Sequence, residues 1–132
     1  MKNMRAEGRP PFFLFVALIA AGAYGAEWYV SGTGNNSAGT SWSTAFTNIQ
    51  AAINAASSGD VLYLAGQSFP VAQTIQWAGK TLTIRGGYAA ASDDPLPGPR
   101  DPLTTPTILS GITVFSNRVL NIQQVTDGVL DG

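Results

Sequence analysis

Short runs of alternating apolar and polar residues cover most of this chain, and many close on glycine. Four of them end in the same way: Leu64-Ala65-Gly66, Ile84-Arg85-Gly86, Leu109-Ser110-Gly111 and Leu130-Asp131-Gly132. Their glycines, Gly66, Gly86, Gly111 and Gly132, are 20, 25 and 21 residues apart. A recurring strand of this kind cannot bury its apolar side alone, but it can when stacked on an equivalent strand. A period near twenty therefore predicts a parallel β-solenoid, with the four glycines at its bends. Leu82 and Ile84 are expected to point inward, and Thr81, Thr83 and Arg85 outward.

The period changes once. From Trp42 to Ser58 the apolar residues Phe46, Ile49, Ile53 and Ala56 recur at helical spacing. This predicts a single amphipathic helix, started by Thr47 or Asn48 as cap and stopped at Ser58-Gly59. Phe46, Ile49 and Ile53 would be its buried face, laid across the raw end of the strand stack. Trp28-Tyr29-Val30 reads as a first strand, Ser31 to Ser41 as a loop, and Val71 to Trp77 as a further strand. Residues 88–106 hold five prolines and are expected to leave the stack as an excursion loop. Val119-Leu120-Asn121-Ile122 is another strand candidate.

Composition narrows the chemistry. The chain has no Cys and no His, so thiolate metal sites, disulfides and every His-based catalytic arrangement are outside its reach. Residues 1–25 read as a secretory leader: Lys2, Arg5 and Arg9, then ten apolar residues from Phe12 to Ala21, then small residues. Cleavage after Gly25 and cleavage after Ala23 both fit. The apolar run is shorter than the roughly 20 residues a membrane span needs, so no transmembrane segment is expected once the leader is gone. From Ala26 onward four basic residues stand against seven acidic ones. That mildly acidic body, without a basic patch, argues against a nucleic-acid partner.

The order of these pieces resembles the N-terminal region of secreted bacterial right-handed parallel β-helix proteins, the pectate-lyase-like superfamily. Carrying the resemblance are Trp28-Tyr29-Val30, Gly39-Thr40-Ser41-Trp42, Phe46 with Ile49 to Ile53, Gly59 to Leu64, Leu82 to Tyr88, Pro106 to Gly111 and Val129 to Gly132. It implies an all-β fold over residues 26–132: the first three to four rungs of a right-handed parallel β-helix under an N-terminal helical cap. It also implies further rungs after Gly132, so that the chain reads as a fragment or truncated product. The calcium-holding Asp clusters and Arg or Lys base of the family's lyases have no matching positions here.

Several residues remain as candidates for chemistry. Asp93, Asp94 and Asp101 form an acidic cluster open to two readings, a calcium loop or a solvated excursion. Trp28, Trp42, Trp77 and Tyr88 suit either sugar stacking or packing. Asp60, between a Gly and a strand, is expected to hold its turn by accepting backbone N–H bonds. No catalytic set and no cofactor emerge. The expected function is that of an exported or cell-surface protein with a structural, adhesive or polysaccharide-binding role, the partner being a polysaccharide or surface glycan. The alternative is the front of a polysaccharide lyase or hydrolase whose catalytic residues lie beyond residue 132.

Overall fold

The computed structural model describes residues 25–112 and 118–132. The expected leader therefore lies outside the described residues, except for Gly25. Eight short strands and one helix follow in the order β1 (Glu27–Val30), α1 (Ile49–Ala55), β2 (Val61–Ala65), β3 (Ser68–Val71), β4 (Ile75–Ala78), β5 (Thr83–Tyr88), β6 (Ile108–Gly111), β7 (Leu120–Gln123) and β8 (Val129–Asp131). The strands form three separate sheets, ordered β1-β2-β5-β8, β3-β6 and β4-β7. Every strand pair is parallel.

The expected right-handed parallel β-helix gives way here to a mostly β chain of short parallel strands in three small sheets. The supposed repeat is not a structural repeat. Glu27 pairs with Val61, Val61 with Thr83 and Thr83 with Val129, which are steps of 34, 22 and 46 residues. In the other sheets Ser68 pairs with Ile108 and Ile75 with Leu120, steps of 40 and 45. No period near twenty runs through them. Leu109-Ser110-Gly111 even sits in a different sheet from the other three copies, with Leu109 opposite Phe69. Ile84 pairs with Leu62 and Leu130, while Leu64 pairs with Val30. The physical reason is that apolar-x-Gly is a three-residue local pattern: its glycine follows β2 and β8, closes β6 and lies inside β5. Nothing in it specifies which sheet a strand joins.

The glycine argument changes too. None of Gly66, Gly86, Gly111 and Gly132 has a left-handed φ. Gly66 and Gly86 are needed for closeness instead. A Cβ at Gly66 would lie 2.3 Å from the Thr105 carbonyl oxygen, and one at Gly86 would lie 2.6 Å from Thr107 Oγ1.

The helix is seven residues long, not seventeen. Asn48 is its cap: Asn48 Oδ1 accepts from the Ala51 N–H at 2.7 Å. Ile49, Ala52 and Ile53 face the core. Phe46 lies outside the helix, in a parallel bridge with Val30 and with its ring 5.9 Å from that of Trp28. The stretch read as one strand from Val71 to Trp77 is two, β3 and β4, which join different sheets. Tyr88 is still the last residue of β5; residues 89–106 then run outside the named strands, touching back through a bridge between Tyr88 and Arg100.

Inside, Leu62, Leu64, Leu82, Ile84, Phe69 and Ile75 pack with Trp77, which is 1 % exposed. The other face of the largest sheet carries a second, aromatic layer. Tyr29, Trp42, Tyr88 and Tyr63 close a circuit of rings with centroids 4.9 to 6.0 Å apart.

Sheet edges differ between the two sides of the molecule. On the first side, residues 39–46 cover the edge of β1: Tyr29 N–H donates to Gly39 O and Phe46 N–H to Tyr29 O. The edge of β4 is closed by Gln50, whose Oε1 accepts from Gln76 N–H at 2.7 Å and whose Nε2 donates to Gln76 O at 3.1 Å. On β3, Gln67 O and Val71 O bond toward β6, so Pro70 turns its missing N–H to the outer edge. The second side ends in β6, β7 and β8, where Ile108, Ile122, Val129 and Leu130 stay about half exposed.

Candidate functional site

The aromatic candidates do not make a platform. Trp42 and Trp77 are buried, and their indole N–H groups donate to Pro97 O at 3.0 Å and Lys80 O at 2.7 Å. Tyr88 is buried within the aromatic circuit. Trp28 is half-buried, and its Nε1 donates to Asp60 Oδ2 at 2.8 Å. With the three indole N–H groups engaged and Trp42, Trp77 and Tyr88 buried, these side chains pack the fold.

The acidic candidates are not brought together as a cation site. Among the described residues no group of three or more acidic side chains could hold a metal ion. Asp101 Oδ1 accepts from Leu103 N–H at 3.0 Å and lies within reach of Thr104 N–H. Bonds from Thr104 and Leu103 hold its carboxyl below the ordinary value. It stabilises its own turn within the excursion loop.

Asp60 is buried and takes three donors. Oδ1 accepts from Ala26 N–H, while Oδ2 accepts from Trp28 Nε1 and Ser57 N–H, all at 2.8 Å. Burial alone would raise its pKa. The bonds from Ser57, Trp28 and Ala26, helped by the charge of Lys80, outweigh burial and bring it below the ordinary 3.8. The turn before it needs Gly59, which sits at φ +97. Asp60 thus ties the start of β1 to the end of the helical segment.

A second carboxylate works similarly on the aromatic face. Glu27 Oε1 accepts from the Tyr63 hydroxyl at 3.0 Å and Oε2 from the Tyr29 hydroxyl at 3.2 Å. Burial and then the bond to Glu27 push the Tyr63 phenol up to about 12. Burial and the charge of Glu27 push Tyr29 up as well. Both phenols are neutral donors at ordinary pH.

Among the described residues, an open groove of about 450 Å³ lies between the start of α1 and the bend from β3 to β4, and a smaller one of about 170 Å³ lies beside β6, β7 and β8. The floor of the larger is apolar: Ile49, Phe69, Val71 and Ile75. Around the rim stand the amides of Asn48, Gln50 and Gln73 and the hydroxyls of Thr47 and Thr74. No known protein family matches this chain, and no curated protein or solved structure shows significant similarity to it. The groove must therefore be read from its own chemistry. None of its described lining residues is ionisable. Asn48 Oδ1 and the Gln50 amide are committed to Ala51 and Gln76, and Thr74 Oγ1 donates to Arg118 O, so above its apolar floor the groove offers a ligand chiefly Gln73 and Thr47, in the size range of small-molecule sites.

Sequence reasoning missed this groove because its walls come from residues 47–50 and 69–75, which only the fold brings together. Gln50 lies off the helix's apolar stripe, and no sequence signal pointed to its bond to β4. Among the described residues no helix is long and apolar enough to cross a membrane.

Proposed function

We propose that this chain is an exported binding module, and that its groove takes a segment of a neutral polysaccharide or surface glycan. The observation that carries this reading is the groove's lining: an apolar floor with a rim of amides and hydroxyls, and no ionisable group. The flat apolar face of a sugar ring suits such a floor, and its hydroxyls suit amide partners. Export is supported by the basic start, apolar run and small residues of the first 25 positions. A groove without acid or base favours binding over hydrolysis or elimination.

The test is calorimetric titration with soluble neutral glycans and with a polyuronate of similar length. Binding to a neutral glycan, unaffected by salt, is the expected result. Gln73→Ala should weaken it about 10-fold, since losing one buried hydrogen bond costs about 1–2 kcal/mol. Failure of every neutral glycan to bind, or full affinity in Gln73→Ala, would sink the reading.

A further inference from the structure

We infer that the leader is removed at the Gly25–Ala26 bond and that the ammonium group this frees on Ala26 is held by the Asp60 carboxylate. The inference rests on the export reading and is independent of the groove.

The geometry is specific to this bond. The Ala26 nitrogen lies 2.8 Å from Asp60 Oδ1. Oδ2 of the same carboxylate is occupied by Trp28 and Ser57, which orients Oδ1 toward Ala26. From the other side, Val61 N–H donates to Ala26 O at 2.9 Å, fixing the residue against β2. Asp60 is only 6 % exposed, so a charge placed at Ala26 would meet a carboxylate largely removed from water.

Gly25 carries the second half of the argument. A Cβ there would fall 1.9 Å from the Gly59 carbonyl oxygen, so no larger residue fits before Ala26 while the chain stays attached. A leader peptidase also requires a small residue just before the bond it cuts. One glycine meets both demands. Sequence alone favours cleavage after Gly25, with cleavage after Ala23 nearly as good, but the latter cut would retain Tyr24 and Gly25. Ala26 would then present Asp60 with a neutral amide. Cleavage after Gly25 replaces the amide with a cation and converts the contact into an ion pair.

In the cleavage step, water adds across the Gly25–Ala26 peptide bond. The leader leaves with the Gly25 carboxylate. Ala26 keeps the nitrogen, which is protonated at neutral pH.

The experiment expresses the full chain in an exporting bacterial host and reads the product's first residue by intact mass and N-terminal sequencing. Ala26 is expected. A product starting at Tyr24 overturns the inference and leaves export standing, whereas an unprocessed chain overturns both. Acylation of the α-amine is then followed at about pH 8, where a free α-amine is near half-titrated. The native protein should react at least about 5-fold more slowly than the same protein in urea, because a neighbouring carboxylate raises an amine's pKa by about one unit or more. Equal rates would overturn the ion pair. Asp60→Asn should abolish the slowing. If that variant does not fold, the native-to-urea comparison decides by itself.

Discussion

At Asp60 three donors converge on one buried carboxylate, and the consequences can be measured. Asp60→Ala leaves the Trp28 indole and two backbone N–H groups without their acceptor, so it should cost about 3 kcal/mol in denaturant unfolding. The pH dependence has a definite sign. Its folded pKa is lowered, so its stabilisation is present above the ordinary 3.8 and fades as pH falls through the folded value. Tyr63 works at the other end of the scale. Its folded pKa is raised to about 12. Its stabilisation is therefore complete below the unfolded value of 10.0 and disappears as pH rises toward 12. Thermal melts should fall across that alkaline window, and Tyr63→Phe should flatten the fall while costing about 1 kcal/mol at pH 7. The role of Asp60 was legible from Gly-Asp before a strand. Its bonds to Ala26 and Trp28, 34 and 32 residues away, were not. Trp28, Trp42, Trp77 and Tyr88 were ambiguous because an aromatic residue suits a platform and a core equally well until its burial is known.

The elements are held by side chains borrowed from elsewhere. Helix α1 has no basic residue in its last turn, yet Lys80 Nζ donates to Ile53 O at 2.7 Å and Asn54 O at 3.1 Å. That cation satisfies carbonyls the helix leaves open and complements its dipole. Lys80→Met, which keeps the aliphatic stem, should cost about 1 kcal/mol. Asn48→Ala should cost about the same through the lost cap, and both are read in urea unfolding. Asn48 was one of two caps visible in the sequence. The helix came out shorter than its apolar stripe because Phe46 was claimed by the bridge to Val30, a tertiary contact that outranks periodicity. Gln50 does for β4 what a neighbouring strand would do, with an amide group standing in for a peptide.

For the whole molecule, the asymmetry between its two sides matters most. One side has its strand edges closed by residues 39–46, by Pro70 and by Gln50. The other ends in β6, β7 and β8 with half-exposed Ile108, Ile122, Val129 and Leu130. Open parallel edges beside apolar side chains promote association. Light scattering against concentration should show it, and Ile122→Lys should shift its onset to higher concentration without lowering the melting temperature. The core itself hangs on Trp77, and Trp77→Ala should cost about 3–5 kcal/mol.

Local pattern, by itself, marked most of the strand-forming stretches, the one helical segment, two candidate caps for it, the proline-rich stretch and the lack of His and Cys. Each of these depends on neighbours within a few residues. Only the tertiary structure decided which strand joins which sheet. Pairing steps of 22 to 46 residues are set by loop paths and core packing, and apolar-x-Gly reads the same whichever sheet its strand joins. It also decided that Trp42 and Trp77 are core, that Asp60 reaches Ala26, and that residues 47–50 and 69–75 enclose a groove. Those outcomes depend on distances between residues far apart in the chain, and the order of residues does not contain distances.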